Sequence, residues 1–136
     1  MAAVNPTVNG YVYDGDHSVR QIVWVLDSTN DRGAGVFLPE WINMTWHVAV
    51  DSGGSLGGGT VVVETAPYDT DASYAPCSNA AGGAAIGISG LVQGAVGKVA
   101  VSVECCGAIR PRLNTSTGAT GVRVTLTAFR STQMRQ

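Results

Sequence analysis

Charged residues are scarce in this chain. Eight basic and ten acidic side chains amount to 13% of its 136 residues, against about 25% in a typical soluble domain. The net charge of −2 provides no overall basic surface, so no direct nucleic-acid partner is expected. Serine, threonine, asparagine and glycine supply the polarity instead. This composition favours a protein whose surface is partly covered by partners.

Long apolar runs are also absent. The first ten residues, MAAVNPTVNG, contain neither a basic segment nor a continuous apolar core of a secretory leader. No window approaches the roughly 18 apolar residues of a membrane span. We therefore expect synthesis in the cytoplasm and no membrane contact. The length predicts one domain over residues 1–136 that buries its own core, with residues 1–9 and 131–136 as candidate contact arms.

Reactive side chains are few. Cys77, Cys105 and Cys106 form no CxxC pair, so neither a disulfide framework nor a zinc site is indicated. We interpret them as small buried thiols. His47 with Cys105 or Cys106 would make a formal base and nucleophile, but the flanking residues contain no nucleophile elbow. We predict no enzymatic activity. The alternative, a Cys/His enzyme, predicts an activity that alkylation of the cysteines abolishes.

One segment combines potential metal ligands. Asp14, Asp16 and His17 lie together in YDGDHSVR. The segment lacks the ligand spacing of a calcium loop, and aspartates in such positions commonly cap backbone amides in turns. We interpret it as a plain turn between strands and predict no metal and no cofactor.

Apolar and polar residues alternate with a period of two along most of the chain. In WINMTWHVAVD, Ile42, Met44, Trp46, Val48 and Val50 fall on one face. GYVYD, GGTVVVETA and KVAVSVE predict further strands, and RQIVWVLD predicts one covered on both sides. With glycine-rich turns between them, these segments predict an all-β antiparallel sandwich or jelly-roll-like domain. The segment from Ala66 to Ala85 predicts a long surface loop or contact arm.

The C-terminal third is basic. In IRPRLNTSTGATGVRVTLTAF, residues alternate on both sides of a Gly-rich turn, and no acidic residue follows Glu104. We predict a β-hairpin closed by STGATG, with Pro111 on an edge strand or at a bulge. The hairpin would place Arg110, Arg112 and Arg123 in one outward patch. These three residues and Arg130 are candidate partner-binding residues.

Aromatic residues provide further candidates. Trp24 and Trp46 fall on faces that the alternation assigns to the core. Trp41, Tyr68 and Tyr74 lie outside those faces, and we add them to the partner-binding candidates. Exposed aromatic rings also stack on sugars, so a carbohydrate-binding or host-recognition module is an alternative. Loss of glycan binding in Trp41→Ala would support that alternative.

Two segments carry a resemblance to a known group of proteins. HVAVDSGGSLGGGTVVVETA, followed by VSVECCGAIRPRLNTSTGATGVRVTLTA, resembles small bacteriophage virion proteins. In that group a glycine-interrupted strand pair precedes an apolar-Arg-x-Arg-aliphatic segment, a Thr/Gly turn and a closing V-x-V-x-L strand. The matching residues are Ile109, Arg110, Arg112, Leu113, Gly118, Gly121, Val122, Val124 and Leu126. The likeness covers about the C-terminal two thirds of the chain and departs at CCG, where the group commonly has an aromatic residue.

The resemblance implies a structural component of the virion. We expect a capsid decoration (cement) protein that stabilises the head by binding adjacent capsid subunits. Its partners would be the major capsid protein, copies of itself in a homo-oligomer, or both. No catalytic residue comes with the resemblance. A head–tail connector, neck or tail structural protein is the alternative within the virion.

Overall fold

The computed structural model describes residues 3–14, 17–37, 42–77, 87–88, 98–102, 107–114 and 118–131. For residues 10–14, 17–18, 42–43, 88, 98–102 and 130–131, the structure describes the backbone and not the side chains. The strands are β1 (Thr7–Asp14), β2 (His17–Leu26), β3 (Val36–Phe37), β4 (Ile42–Ser55), β5 (Thr60–Ala66), β6 (Ala75–Pro76), β7 (Gly87–Ile88), β8 (Lys98–Ser102), β9 (Ala108–Asn114) and β10 (Thr120–Ser131). One short 3-10 helix, Asp71–Ser73, precedes β6.

The strands form two antiparallel sheets packed as a β-sandwich, which confirms the predicted fold class. The first sheet has the order β1-β2-β10-β4-β8. The second has the order β3-β9-β5-β6, and β7 also pairs with β5. No helix in the described ranges is long and apolar enough to cross a membrane.

The core lies between the sheets, and most of its large side chains are on the strand faces that the alternation predicts. Trp24 and Trp46 stack there with ring centroids 5.9 Å apart, and Nε1 of Trp24 donates to the carbonyl of Ala34 at 3.1 Å. Each large apolar side chain buried in this way contributes roughly 1.5–3 kcal/mol. The members include Ile22, Leu26, Met44, Val48, Val61, Val63, Ile109, Leu113, Val122, Val124 and Leu126.

One strand is less covered than expected. Every second residue of β2 is buried, but Val25, on its other side, is 41% exposed. The prediction that this strand is covered on both sides is therefore wrong. Apolar β-branched residues occur in strands for their backbone preferences as well as for burial, so they do not by themselves indicate a second buried face.

The C-terminal stretch crosses between the sheets. β9 pairs with β3 and β5, whereas β10 pairs with β2 and β4. The predicted hairpin is therefore wrong, although the predicted inward residues are buried. A hairpin and a crossing between facing sheets produce the same alternation, because each strand has one core-facing side in both arrangements.

Pro111 is tolerated inside the second sheet. β9 lies between β3 and β5, and its register with β5 is continuous, so the predicted edge or bulge is wrong. On the other side of β9 the ladder is interrupted: β3 pairs with Ala108 and Ile109, and only an isolated bridge joins Arg32 to Arg112. The carbonyl of Pro111 still accepts a bond from Gly33 N at 2.9 Å. The missing N–H of proline therefore falls at a gap in the pairing.

The first part of the predicted surface loop packs on its own sheet. Residues 67–74 lead into β6, which pairs with β5, and the Cys77 amide donates to the Val63 carbonyl at 2.8 Å. The side chain of Cys77 is buried, as predicted. Residues 78–86 lie outside the described part of the chain. The candidate arm at residues 1–9 is partly built into the fold, since Val4 bridges to Gly33 and residues 7–9 belong to β1.

Candidate functional site

Five charged side chains meet on the outer side of the second sheet. They are Arg32, Glu64, Asp71, Arg110 and Arg112, and we call them the arginine cluster. Glu64 and Arg110 are directly opposite residues of β5 and β9. Nε of Arg110 donates to Oε1 of Glu64 at 3.0 Å, and the two residues are 3% and 7% exposed, respectively. A charge buried to this degree requires its partner, because it has lost most of its hydration.

Asp71 ties the loop after β5 to the cluster. Arg110 Nη1 donates to its Oδ1 at 2.6 Å, and Arg32 Nη1 donates to its Oδ2. The hydrogen bond from Arg110 and the positive charges nearby lower the pKa of Asp71. Burial disfavours the charged form of Arg110, but hydrogen bonds to Asp71 and Glu64 outweigh burial and raise its pKa. The two shifts both favour the charged forms, so Asp71 and Arg110 are an ion pair at neutral pH.

Tyr74 covers Arg110 from the loop side. The guanidinium carbon of Arg110 lies 3.8 Å from the centroid of the Tyr74 ring, a cation–π contact. The Tyr74 hydroxyl donates to Oδ1 of Asp69 at 2.6 Å. A side chain at Gly35 would meet this hydroxyl, because a Cβ there would lie 2.0 Å from it. Residues 69–74 thus form a strap that closes over Arg110.

Arg112 is the basic member of the cluster with the most exposed side chain. Its Nη1 lies 3.6 Å from Oε2 of Glu64, beyond a good hydrogen bond, and 40% of its side chain is exposed. Its Nε is buried and has no hydrogen-bond partner within the described residues. The electrostatic attraction to Glu64 holds this guanidinium at the rim of the cluster.

Arg123 lies on the other sheet, so the predicted patch of three arginines is wrong. Its Nε and Nη2 donate to the two carboxylate oxygens of Asp51, both at 3.0 Å. These bonds raise the pKa of Arg123. Arg110 and Arg123 therefore have acidic partners that precede them by 39 to 72 positions. The acidic residues missing from the C-terminal sequence are supplied by β4, β5 and the strap.

The remaining partner-binding candidates have different surroundings. Tyr68 is 64% exposed beside the strap, whereas Tyr74 is engaged with Arg110. Trp41 lies outside the described residues. Arg130 belongs to β10, where its backbone alone is described. A partner-binding role for any of these residues stays a prediction.

Cys77 and His47 lie on opposite sides of the first sheet. The Cys77 side chain is in the core, and His47 is exposed on the outer side of β4. These two residues therefore cannot form a nucleophile–base pair. Cys105, Cys106 and Asp16 lie outside the described residues, as do the side chains of Asp14 and His17. Among the described residues, no group of three or more His, Cys, Asp or Glu side chains could hold a metal ion.

The outer side of the first sheet is poor in charge. Its central part, which we call the charge-poor face, consists of the outward residues of β2 and β10. Those with described side chains are Val19, Gln21, Val23, Val25, Arg123, Thr125, Thr127 and Phe129. Arg123 is the charged residue among them, and Asp51 on β4 neutralises it. Asn5, Thr7 and Asn9 border a shallow groove at one end of this face.

Neither glutamate nor aspartate partner of Arg110 was anticipated from the sequence. Glu64 is the charged residue of a strand that otherwise contains valine, threonine and alanine, and this is the local signal of a required charge. Asp71 lies in a loop, where acidic residues are common and carry no such signal.

No protein-family model, curated protein or solved structure matches this chain.

Proposed function

We propose that this protein is a structural component of a bacteriophage virion, and specifically a capsid decoration protein. The sequence resemblance motivates the virion assignment. The observation that carries a binding role is the charge-poor face, a sheet surface with its single ion pair already neutralised. The protein would act by binding adjacent capsid subunits, so that many weak contacts together oppose the internal pressure of packaged DNA.

The charge-poor face suits a protein partner for an energetic reason. Binding removes water from both surfaces, and removing water from an unpaired charge is costly. Here the outward groups include partly exposed valine, threonine and phenylalanine side chains and the exposed Val25, whereas Arg123 and Asp51 hold each other in a bidentate pair. A standard interface needs about 800 Å² from each partner. The face and its flanking strands β1 and β4 offer a continuous surface for such a contact.

The arginine cluster is assigned a different role in this proposal. Arg110 is buried and bound to Glu64 and Asp71, so its charge is satisfied within the chain. A capsid carboxylate would have to displace one of these partners. We therefore place the capsid contact on the charge-poor face, and we treat the cluster as the structure that holds the strap on the second sheet.

The test compares two exposed apolar residues on opposite sheets. Val25→Lys introduces an unpaired charge into the charge-poor face, and we expect about tenfold weaker binding to purified capsids that lack the protein. Phe37→Lys introduces the same charge at a residue of β3 that is also well exposed, and binding should be unchanged. Equal effects of the two substitutions would argue against this contact surface. Absence of binding by the unaltered protein would argue against decoration.

Electron microscopy of labelled particles tests the position in the virion. Label distributed over the head is the expected result for a decoration protein. Label confined to one vertex or to the tail would replace this proposal with the connector, neck or tail alternative. Particles without label would remove the virion assignment.

A further inference from the structure

The edge strands of the two sheets differ in how they are protected. Natural sheets discourage pairing with other chains by using short edge strands, proline or lysine. β3 and β6 have two residues each, and β6 ends in Pro76. β8 has five residues and begins with Lys98, the single lysine of the chain. β7, which pairs with β5 alone, also has two residues, so four of the five edge strands among the described residues carry a protective feature.

β1 is the exception. It has eight residues, and its first seven, TVNGYVY, contain no charged residue and no proline. Its register with β2 is continuous from Thr7 to Val12, and the register shift in the strand lies at its end, between Val12 and Asp14. Within the described residues, β1 pairs on one side only. This edge presents a row of backbone donors and acceptors in the geometry that a further strand requires.

An apolar side chain stands exposed at this edge. Val8 pairs with Ile22, a core residue, and therefore faces the same side of the sheet. Ile22 is buried, but Val8 is 53% exposed because the second sheet does not extend over it. A strand added to β1 would cover part of this surface in addition to satisfying the backbone groups.

We propose that β1 pairs with β1 of a second copy of this chain, in antiparallel orientation, to form one continuous ten-stranded sheet. A copy fits this edge for two reasons. The strands have the same length, so a two-fold axis near their centres matches every residue with a partner. The strand is uncharged from residue 7 to residue 13, so two copies approach without like-charge repulsion. This pairing does not depend on the virion assignment.

The experiment measures the mass of the purified protein in solution. Light scattering after size exclusion should give twice the monomer mass, with dissociation on dilution because an interface of one strand pair is small. Val8→Lys places a charge at the paired edge and should give the monomer mass. Val25→Lys lies one strand further in, on the outer side of the sheet, and should leave the dimer intact. Circular dichroism checks that each variant keeps its β-sheet content.

Each outcome decides the proposal. A dimer that Val8→Lys abolishes and Val25→Lys preserves supports it. A monomer at about 100 µM unaltered protein, where even weak specific pairing is detected, overturns it. A dimer that persists in Val8→Lys overturns it as well. Should Val8→Lys fail to fold, Asn9→Lys brings the same charge to the next residue of the strand. A monomer then supports the proposal, and a dimer that persists overturns it. Because the proposed function is tested by capsid binding, either proposal can fail alone.

Discussion

Two arginines of this chain show how the same side chain acquires different roles. Arg110 is buried between β5 and the strap, where Glu64 and Asp71 bind it. Arg123 is in solvent on the other sheet and binds Asp51. The geometry of both pairs is good, but water screens the exposed pair and not the buried one. Burial therefore decides which pair matters for stability.

We expect Arg110→Ala to lower the free energy of unfolding by about 3 kcal/mol, because the Glu64 carboxylate would remain buried without its partner. Arg123→Ala is the matched control and should cost about 0.5 kcal/mol. Urea denaturation measures both. Adding Glu64→Ala to Arg110→Ala should recover part of the loss, since the unpaired charge is then removed. Equal losses in the two single variants would contradict the assignment of a buried pair.

The lowered pKa of Asp71 predicts a dependence of stability on pH. The folded state holds Asp71 ionised to lower pH than the unfolded state does, so folding releases a proton in that window. The stabilisation is complete above the unfolded value of about 3.9 and is lost as the pH falls through the lower folded value. Asp71→Asn should therefore be less stable than the unaltered protein at pH 7.

The difference between the two proteins should shrink between about pH 4 and pH 2, since protonated Asp71 resembles asparagine in charge. Denaturation midpoints across this range measure it. Asp69→Asn, in the same strap, is the control, because it shows how much of the pH-dependent stability difference follows from the loss of any carboxylate in this segment. A constant difference from pH 7 to pH 2 would show that Asp71 contributes through packing and not through its charge.

At the scale of elements, the two crossings between the sheets support each other. The turn after β4 contains Gly57 and Gly58, whose φ angles of 64° and 74° favour glycine. The crossing that leads into β10 contains Gly118, and Gly121 is the second residue of β10; both have positive φ. The end of β4 and the start of β10 pair through Ser55 and Thr120. The positive φ angles explain glycine in the turns, and the close approach of the two backbones at this corner is made by Gly54, where a Cβ would meet the Thr120 carbonyl.

Gly54→Ala tests this close approach. A Cβ at Gly54 would lie 2.5 Å from the carbonyl oxygen of Thr120, so one of the two crossings has to shift. We expect a loss of about 2 kcal/mol in the free energy of unfolding. Gly87→Ala is the control, because its nearest neighbour is a Thr60 methyl group at 3.3 Å. It should change stability by less than about 0.5 kcal/mol. Similar losses at both positions would contradict the corner packing.

At the scale of the whole molecule, the chain passes back and forth between two sheets. Each sheet is therefore built from strands that are far apart in the sequence. The first sheet takes β1, β2, β4, β8 and β10, and the second takes the strands between them. Each sheet buries one face against the other, and the stacked tryptophans come from two strands of the first sheet. The outward sides then become different surfaces: one is neutral and broad, and the other holds the arginine cluster under its strap.

The sequence by itself determined the all-β class and, for strands such as β4 and β10, the side that faces the core. Both follow from alternation, which depends on residues two positions apart and survives in any arrangement of the strands. The burial of Trp24, Trp46, Met44 and Leu126 is of this kind. The exposure of Val25 could not be predicted in this way, because it depends on whether anything covers the outer side of the sheet.

Only the tertiary structure decided which strands pair and which charges meet. β9 and β10 follow each other in sequence but belong to different sheets, since a short glycine-rich connection permits both a hairpin and a crossing. The carboxylates that bind Arg110 and Arg123 lie 39 to 72 residues away in sequence. Contacts over such separations depend on the packing of the whole chain, so no local pattern specifies them.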